Sequence, residues 1–539
     1  MEFKLPIQYI KHESVNAHVI QDLELIDSEE TSVYDKLFLP KTDESKSITR
    51  EWAKYYTTDE QFLKQSITLF KSSIHKANIS EFVTDLNAIR ENKEFKIKYQ
   101  YVETNWLATL NTSPLFLLFI SIYFITSPLL LLLSPILMMF MPFILLKIGG
   151  HDINWENYMH IFKSVMQHHA IGGLLIGFSE ADTKQRSYLV GTAIFFFIQL
   201  YTNAYSVYVF YKNMIHVYKV IDSCIAYIAD TVICMQDVQE TIHSLSTYTL
   251  FHQELEDHKN VLLAFSTKLN GLRSIKRCGS ARAVFYELYA NKDLKRSFHY
   301  TIGFHGFIQT LQQLKKKLGK SINPCTFSSE TSFCKAYYPI KNPIKNTYTL
   351  DNNIIITGPN ASGKTTILKT TLINVLLSQQ IGCGFYKSAQ ICPYDAFYCY
   401  INIPDTSGRD SLFQAEARRC KEIVDEVIKK KRTLCIFDEL FSGTNPYEAT
   451  AGSCSLLTYL SNYSTFRFLL TTHFIEVCEN LKQTEIQMKY MKTIEDVHTY
   501  KMKNGISYVK GGIKVLEQLN FPDSIVKGCN NYADKRNDK

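Results

Sequence analysis

One stretch, 355-IITGPNASGKTTILK-369, constrains this chain more than any other. Its core is Gly358-x4-Gly363-Lys364-Thr365, set between the apolar run Asn353–Thr357, which reads as a strand, and the helix-forming series Thr365–Leu377. That strand–loop–helix order is what a phosphate-binding loop requires. Glycines let backbone N–H groups curl round the phosphates, and the lysine reaches the terminal phosphoryl groups. The threonine hydroxyl binds Mg²⁺, and the helix points its positive end at the anion. The reading places Gly358, Pro359, Asn360, Ala361, Ser362, Gly363, Lys364, Thr365 and Thr366 around a nucleotide.

An ATP site also needs acids at the end of a second strand. The run 434-LCIFDEL-440 supplies them in Asp438 and Glu439. An aspartate there holds Mg²⁺ through water, and the adjacent glutamate polarises the attacking water. The four basic residues before it, Lys429–Arg432, read as the solvated end of a helix. A third apolar strand, 469-LLTTHF-474, ends in His473, placed to sense the terminal phosphate.

In order and wording these motifs resemble the ATPase domain of the MutS family of DNA mismatch-repair proteins. TGPNASGKTT is similar to that family's phosphate loop, with asparagine at Asn360. The stretch 407-SGRDSLFQAEARR-419 resembles its signature region, 438-DELFSGTNPYEA-449 its acidic stretch, and TTHF its switch histidine. Residues 500–529, with Pro522 ahead of the last helix, are similar to its closing segment. The resemblance implies an ABC-type P-loop fold that hydrolyses ATP to ADP and phosphate with Mg²⁺ at Thr365 and Asp438. It implies Glu439 and His473 as the catalytic pair. It further implies a head-to-tail homodimer through the ATPase domains, in which Ser411 reaches the partner's ATP, and DNA as a partner. The family's N-terminal mismatch reader uses a Phe-x-Glu wedge. The tripeptide occurs at Phe178–Glu180, Phe285–Glu287 and Phe474–Glu476, none in an N-terminal setting.

Outside this region the chain reads differently. Its 539 residues suggest about three or four domains. We divide them into an N-terminal helical region (1–110), a hydrophobic region (111–212), a helical core and lever (213–334) and the α/β ATPase domain (335–539). Near the start, 58-TDEQFLKQSITLFKSSI-74 reads as a helix capped by Thr58 or Asp59, with Phe62, Ile67, Phe70 and Ile74 on one face. The run 113–146 contains no charged residue, and its length exceeds the roughly 20 residues that cross a bilayer core. Prolines at 114, 128, 135 and 142 favour a kinked span or a re-entrant hairpin over a straight helix. A second candidate, 189–211, is interrupted by Gln199, Thr202 and Asn203. Lysine and arginine counts of five on the flanks against four between do not orient such a pair. Residues 236–269 hold no proline or glycine and read as a long lever helix. Lys315–Lys317 and Lys320 read as a solvated face, or more sharply as a phosphate contact.

A net charge of +7 allows a local nucleic-acid or anionic-lipid surface without demanding one. Thirteen cysteines with no C-x-x-C pair suggest neither a zinc module nor a disulfide scaffold, and fit a reducing compartment, cytoplasmic or nuclear. Two functions follow. One is a DNA-binding MutS-like ATPase in mismatch repair or related DNA maintenance. The other is a membrane-anchored ABC-type ATPase, facing the cytosol, that organises membrane or DNA without reading mismatches. A transporter is disfavoured because SGRDSLF is not a glycine-rich linker motif.

Overall fold

The computed structural model describes residues 2–28, 31–76, 80–150, 154–167, 169–178, 181–272, 277–401, 403, 411–429, 431–494, 497–509, 516 and 519–534, without the side chains of 80, 131, 132, 135, 177 and 530–534. The chain divides into two compact units. The first joins Met1–Lys76, Cys234–Asp257 and His299–Lys539; the second joins Ala77–Ile233 and His258–Phe298.

The first unit is built on a six-stranded sheet. Its order is Ala396–Tyr400, Thr433–Asp438, Phe466–Thr471, Ile354–Thr357, Gln487–Ile494 and Val497–Asn504. The first five strands are parallel and the last returns as an antiparallel hairpin. Parallel strands covered on both faces read as unbroken apolar runs, and Ile354–Ile356 and Leu434–Phe437 are completely buried. Winding reverses on either side of Ile354–Thr357, so a crevice opens at the carboxyl ends of the strands there.

From that strand the chain enters the loop helix Lys364–Ile381, which starts one residue earlier and ends four residues later than the sequence reading. Its last turn carries Ser378, Gln379 and Gln380, all buried. The N-terminal residues satisfy these amides. Gln379 Nε2 donates to the carbonyls of Thr57 (3.2 Å) and Tyr394 (2.8 Å), and Gln380 Nε2 to those of Trp52 (3.1 Å) and Tyr55 (2.9 Å). Gly382 ends the helix at φ +67°, and a Cβ there would meet the Leu63 carbonyl at 2.7 Å. The helix read at 58–74 spans Glu60–Lys71, capped by Asp59; Phe62 and Phe70 are buried, with Leu63 and Leu69 beside them.

The lever read as continuous over 236–269 is broken. One helix ends at Ile242 and the next begins at Thr249. Neither proline nor glycine causes the break. Gln65 Oε1 accepts from both the N–H (3.1 Å) and the hydroxyl (2.6 Å) of Thr247, and Ser246 accepts from Gln61 (2.9 Å). Side chains distant in sequence thus offer the backbone an alternative to the helical ladder.

In the second unit Pro114–Ile148 is one continuous 35-residue helix rather than a re-entrant hairpin. Ser113 caps it, accepting from the Phe116 N–H, and Pro114 sits in the first turn where no donor is lost. As a test of the expected spans, the described residues hold no single helix long and apolar enough to cross a membrane. Asn105–Thr112 and Pro114–Leu130 pass only as a pair bent by 93°, and Ile136–Ile148 is a shorter apolar helix. By length and composition, then, no single described helix is a span at 113–146 or 189–211, and only the bent pair over 105–130 passes. Of the three Phe-x-Glu tripeptides, Phe285 is fully buried, Phe474 is half-buried beside the sheet, and Glu180 lies outside the described residues. Lys315, Lys316 and Lys320 are exposed, whereas Lys317 reaches the Lys36 carbonyl.

Candidate nucleotide site

Three neighbouring strand ends converge on the loop. Gly358 (φ +153°) and Gly363 (φ +91°) hold backbone conformations that side chains rarely adopt. A Cβ on Gly358 would meet Ser362 Oγ at 3.0 Å, and one on Gly363 would press on the Tyr500 ring at 3.2 Å. Gly363 also gives the loop helix no side-chain cap, which leaves its first-turn N–H groups for an anion. The Ser362 hydroxyl is buried without a hydrogen-bond partner among the described residues. Asn360, Ala361 and Thr366 are exposed at the rim, while Pro359 is buried.

The charged groups form one connected cluster. Thr365 Oγ1 donates to Asp438 Oδ2 at 2.8 Å, and the Thr471 hydroxyl donates to the other Asp438 oxygen. Lys364, 5% exposed, donates to the carbonyls of Gly358 (3.0 Å) and Pro359 (3.3 Å). Its Nζ lies 3.1 Å from His473 Nε2 and 4.0 Å from Glu439 Oε1. His473 Nε2 and Glu439 Oε1 are 2.7 Å apart. Burial lowers the Lys364 pKa against the opposing pull of Glu439 and Asp438. The Glu439 carboxyl is held below the ordinary carboxylate value, first by its hydrogen bond to His473 and then by the charges of His473 and Lys364. Glu439 sits at φ +53°, a costly conformation for a non-glycine residue; its N–H donates to the Thr471 carbonyl at 3.1 Å. The adjoining strand therefore fixes where the carboxylate points.

Ser411 is not part of this cluster. It is exposed and caps the helix Leu412–Val427, where its hydroxyl accepts from the Gln414 N–H at 3.3 Å and Gln414 answers at the Ser411 N–H (2.9 Å). Residues 407–410 of the signature stretch, residue 430 of the basic run, and 510–515 and 517–518 of the closing segment lie outside the described residues.

Two features escaped sequence reasoning. Buried Glu416, on the Ser411 helix, accepts from the Ser442 hydroxyl (3.1 Å) and the Gly443 N–H (3.2 Å). It thereby ties that helix to the loop following Asp438 and Glu439. A Cβ on Gly443 would meet Leu412 at 2.7 Å, which explains the glycine. The second is a cavity of about 290 Å³ beside the loop, lined by Tyr338, Ile340, Ile344, Met491 and Tyr500 with Gly363 and Thr366. Its walls come from three distant stretches, so no local pattern announces it. Glu416, by contrast, stands in the quoted signature stretch, five residues after Ser411.

A parallel sheet with a glycine loop, a buried lysine and paired acids at its carboxyl edge defines the architecture of a P-loop ATPase-type domain. The family model described as MutS domain V matches residues 354–536. The chain is 30% identical over 199 residues to a "DNA mismatch repair protein MutS" of Bacteroides fragilis, covering 35% of this chain and 23% of that protein. It is 28% identical over 191 residues to an "Endonuclease MutS2" of Fusobacterium nucleatum (34% and 24%). It is 30% identical over 215 residues to the "DNA mismatch repair protein MSH2" of Saccharomyces cerevisiae (36% and 22%). The similarity to the MutS family is confined to this C-terminal part. The matched part spans less than a quarter of the length of these relatives.

Proposed function

We propose that the chain is a MutS-type ATPase that hydrolyses ATP to ADP and phosphate as a homodimer and acts on DNA in mismatch repair or a related process. The observation that carries this reading is the convergence of Lys364, Thr365, Asp438, Glu439 and His473 on a loop whose Ser362 hydroxyl is buried without a partner among the described residues and whose helix start has no side-chain cap. In this reading the loop N–H groups and Lys364 bind the phosphates. Glu439, kept ionised at neutral pH, aligns the attacking water, and His473 holds the carboxylate and lysine in place. The hard oxygen donors Thr365 and Asp438 fit Mg²⁺ and would hold it; when bound, it neutralises phosphate charge. The aromatic and aliphatic walls at Tyr338, Ile340 and Met491 suit a purine base. Ser411, on an exposed helix start, is assigned to the partner's nucleotide. The DNA role is carried over from the names of the relatives.

The test is nucleotide binding and phosphate release, measured alone and with duplex, mismatched and branched DNA. Wild-type protein should bind and hydrolyse ATP at a rate that one of these DNAs changes, and Lys364→Ala should bind none. A Lys364→Ala protein that binds ATP as tightly as wild type would overturn the site assignment. A rate indifferent to every DNA would overturn the DNA role.

A further inference from the structure

In a protein folded against water the large apolar side chains turn inward. The helix Pro114–Ile148 does the reverse. Leu117, Ser121, Pro128, Pro142 and Leu146 are buried, whereas Leu130 is 59% and Phe140 58% exposed, as are Phe119, Ile136 and Ile144 to similar degrees. The apolar start of the helix Thr183–Ile242 repeats the inversion. There Ala193 and Phe196 are buried while Ile194, Phe195, Phe197 and Ile198 are exposed. Contiguous exposure on this scale marks an interaction surface rather than the scattered leucines of an ordinary one. Four hydroxyls on these helices bond back to their own backbone rather than to water. Ser121 donates to the Leu117 carbonyl (2.6 Å), Thr126 to Ile122 (2.7 Å), Thr192 to Leu189 (2.9 Å) and Thr202 to Gln199 (3.0 Å). Such back-bonding lowers the cost of placing a hydroxyl in an apolar solvent.

Charge and aromatic amphiphiles stand at the Pro114 end, as exposed Lys147 and Trp155 do near Ile148 and Lys184 and Arg186 do before residue 188. Trp106, in the turn just before Pro114, is 80% exposed, and Ile97 and Lys98 are exposed as well. Asn213 donates to the Lys98 carbonyl at 2.7 Å, which brings exposed Lys212 beside Lys98. Buried Arg282 pins this root: it donates to Ser121 Oγ (2.8 Å) and to the carbonyls of Tyr99 (2.9 Å) and Gln100 (2.8 Å). Tryptophan and lysine at the rim of an apolar surface complement the headgroup layer of an anionic membrane.

We propose that the outward faces of Pro114–Ile148 and of residues 188–211 sit in the hydrocarbon of a lipid bilayer, with Trp106, Lys98 and Lys212 at headgroup level. A 35-residue helix rises about 52 Å, more than the roughly 30 Å of bilayer hydrocarbon, so one end is free to stand in the headgroups.

The full-length chain, transferred from detergent to vesicles of phosphatidylcholine and phosphatidylglycerol, is floated on a density gradient. Wild type should rise with the lipid. Leu130→Glu with Phe140→Glu changes two exposed positions and should lower the floating fraction roughly tenfold or more. Lys98→Gln and Lys212→Gln should each weaken binding roughly fivefold to anionic vesicles and leave binding to pure phosphatidylcholine unchanged. A second readout uses a Trp155→Phe background, which removes the other exposed tryptophan: brominated lipid should quench Trp106 fluorescence while buried Trp52 stays bright. Any of three results overturns the proposal: wild type that stays lipid-free and monodisperse without detergent, wild type whose apolar face is covered by a second copy in a discrete dimer, or equal flotation of wild type and the glutamate variant.

Discussion

Two helices show how poorly composition alone reports burial. The loop helix Lys364–Ile381 carries Lys364, Thr370, Thr371, Asn374, Ser378, Gln379 and Gln380, and every one of these polar residues is buried. The helix Pro114–Ile148 has a single charged residue, Lys147, and exposes most of its leucines, isoleucines and phenylalanines. The difference lies in partners. Each amide of the first helix meets polar groups of the same unit: Asn374 Oδ1 accepts the Phe385 N–H at 2.6 Å, and Gln379 Oε1 accepts the Tyr394 N–H at 2.8 Å. Burial of a polar group is inexpensive when it is hydrogen-bonded, and exposure of an apolar one is costly unless something other than water covers it.

The comparison breaks most visibly at the charged cluster. Glu439→Gln should retain ATP and lose roughly 10²- to 10³-fold in turnover, because the amide cannot align water as the carboxylate does. Single-turnover phosphate release checks this, and wild-type turnover in the variant would remove Glu439 from the reaction. Packing comes next. Ile355→Ala, at a fully buried sheet position, should cost about 2–5 kcal/mol of stability, whereas Phe197→Ala on the exposed face should change it by about 0.5 kcal/mol or less. Paired denaturation curves in one detergent measure both, and equal losses would mean that the two surfaces are packed alike. Glu416→Ala strips an acceptor from the Ser442 hydroxyl and the buried-side Gly443 N–H. A loss of about 1–3 kcal/mol is expected, together with slower turnover, because the Ser411 helix is no longer tied to the loop after Glu439.

The smallest effect is a pH dependence in the first unit. Burial pushes the Asp22 carboxyl up to about 6, against the lowering influence of Arg419. The folded state therefore binds a proton that the unfolded chain has released between about pH 4 and 6. Stability should rise as pH falls through that window and be lost as pH rises through it. Asp22→Asn should flatten this slope and, after solvent screening of the partly exposed carboxyl, stabilise the protein at pH 7 by about 0.5–1 kcal/mol. Thermal melts of both proteins from pH 4 to 8, a range set by that shift, decide it; parallel profiles would remove Asp22 as the cause.

The site was legible where its chemistry is contiguous. The glycine loop, Asp438 with Glu439, and His473 each stand at the end of an apolar run, and alternating strands and loops bring such ends together. The cavity beside Tyr338, Met491 and Tyr500 was not legible, because its walls are more than 150 residues apart and carry no motif. Nor was the packing of Trp52, Tyr55 and Thr57 on the loop helix, which rests on backbone carbonyls that every residue possesses. The break at 243–248 depends on Gln65, far upstream, and propensity is silent about such bonds. In the second unit the apolar run was plain, but which way its side chains face is a property of the fold.

The assignment of Ser411 to a partner's nucleotide is the central claim about mechanism, and mixing two inactive proteins tests it. Lys364→Ala lacks the phosphate-binding lysine, and Ser411→Arg blocks the surface offered to the other copy. Each should be inactive alone. Mixed in equal amounts and allowed to exchange, half of the dimers pair unlike chains, and each such dimer holds one pocket with both good halves. ATP turnover should then return to roughly a quarter of the wild-type rate. Turnover that stays at background, in a mixture shown to contain heterodimers, would contradict the shared pocket and leave each chain to work on its own.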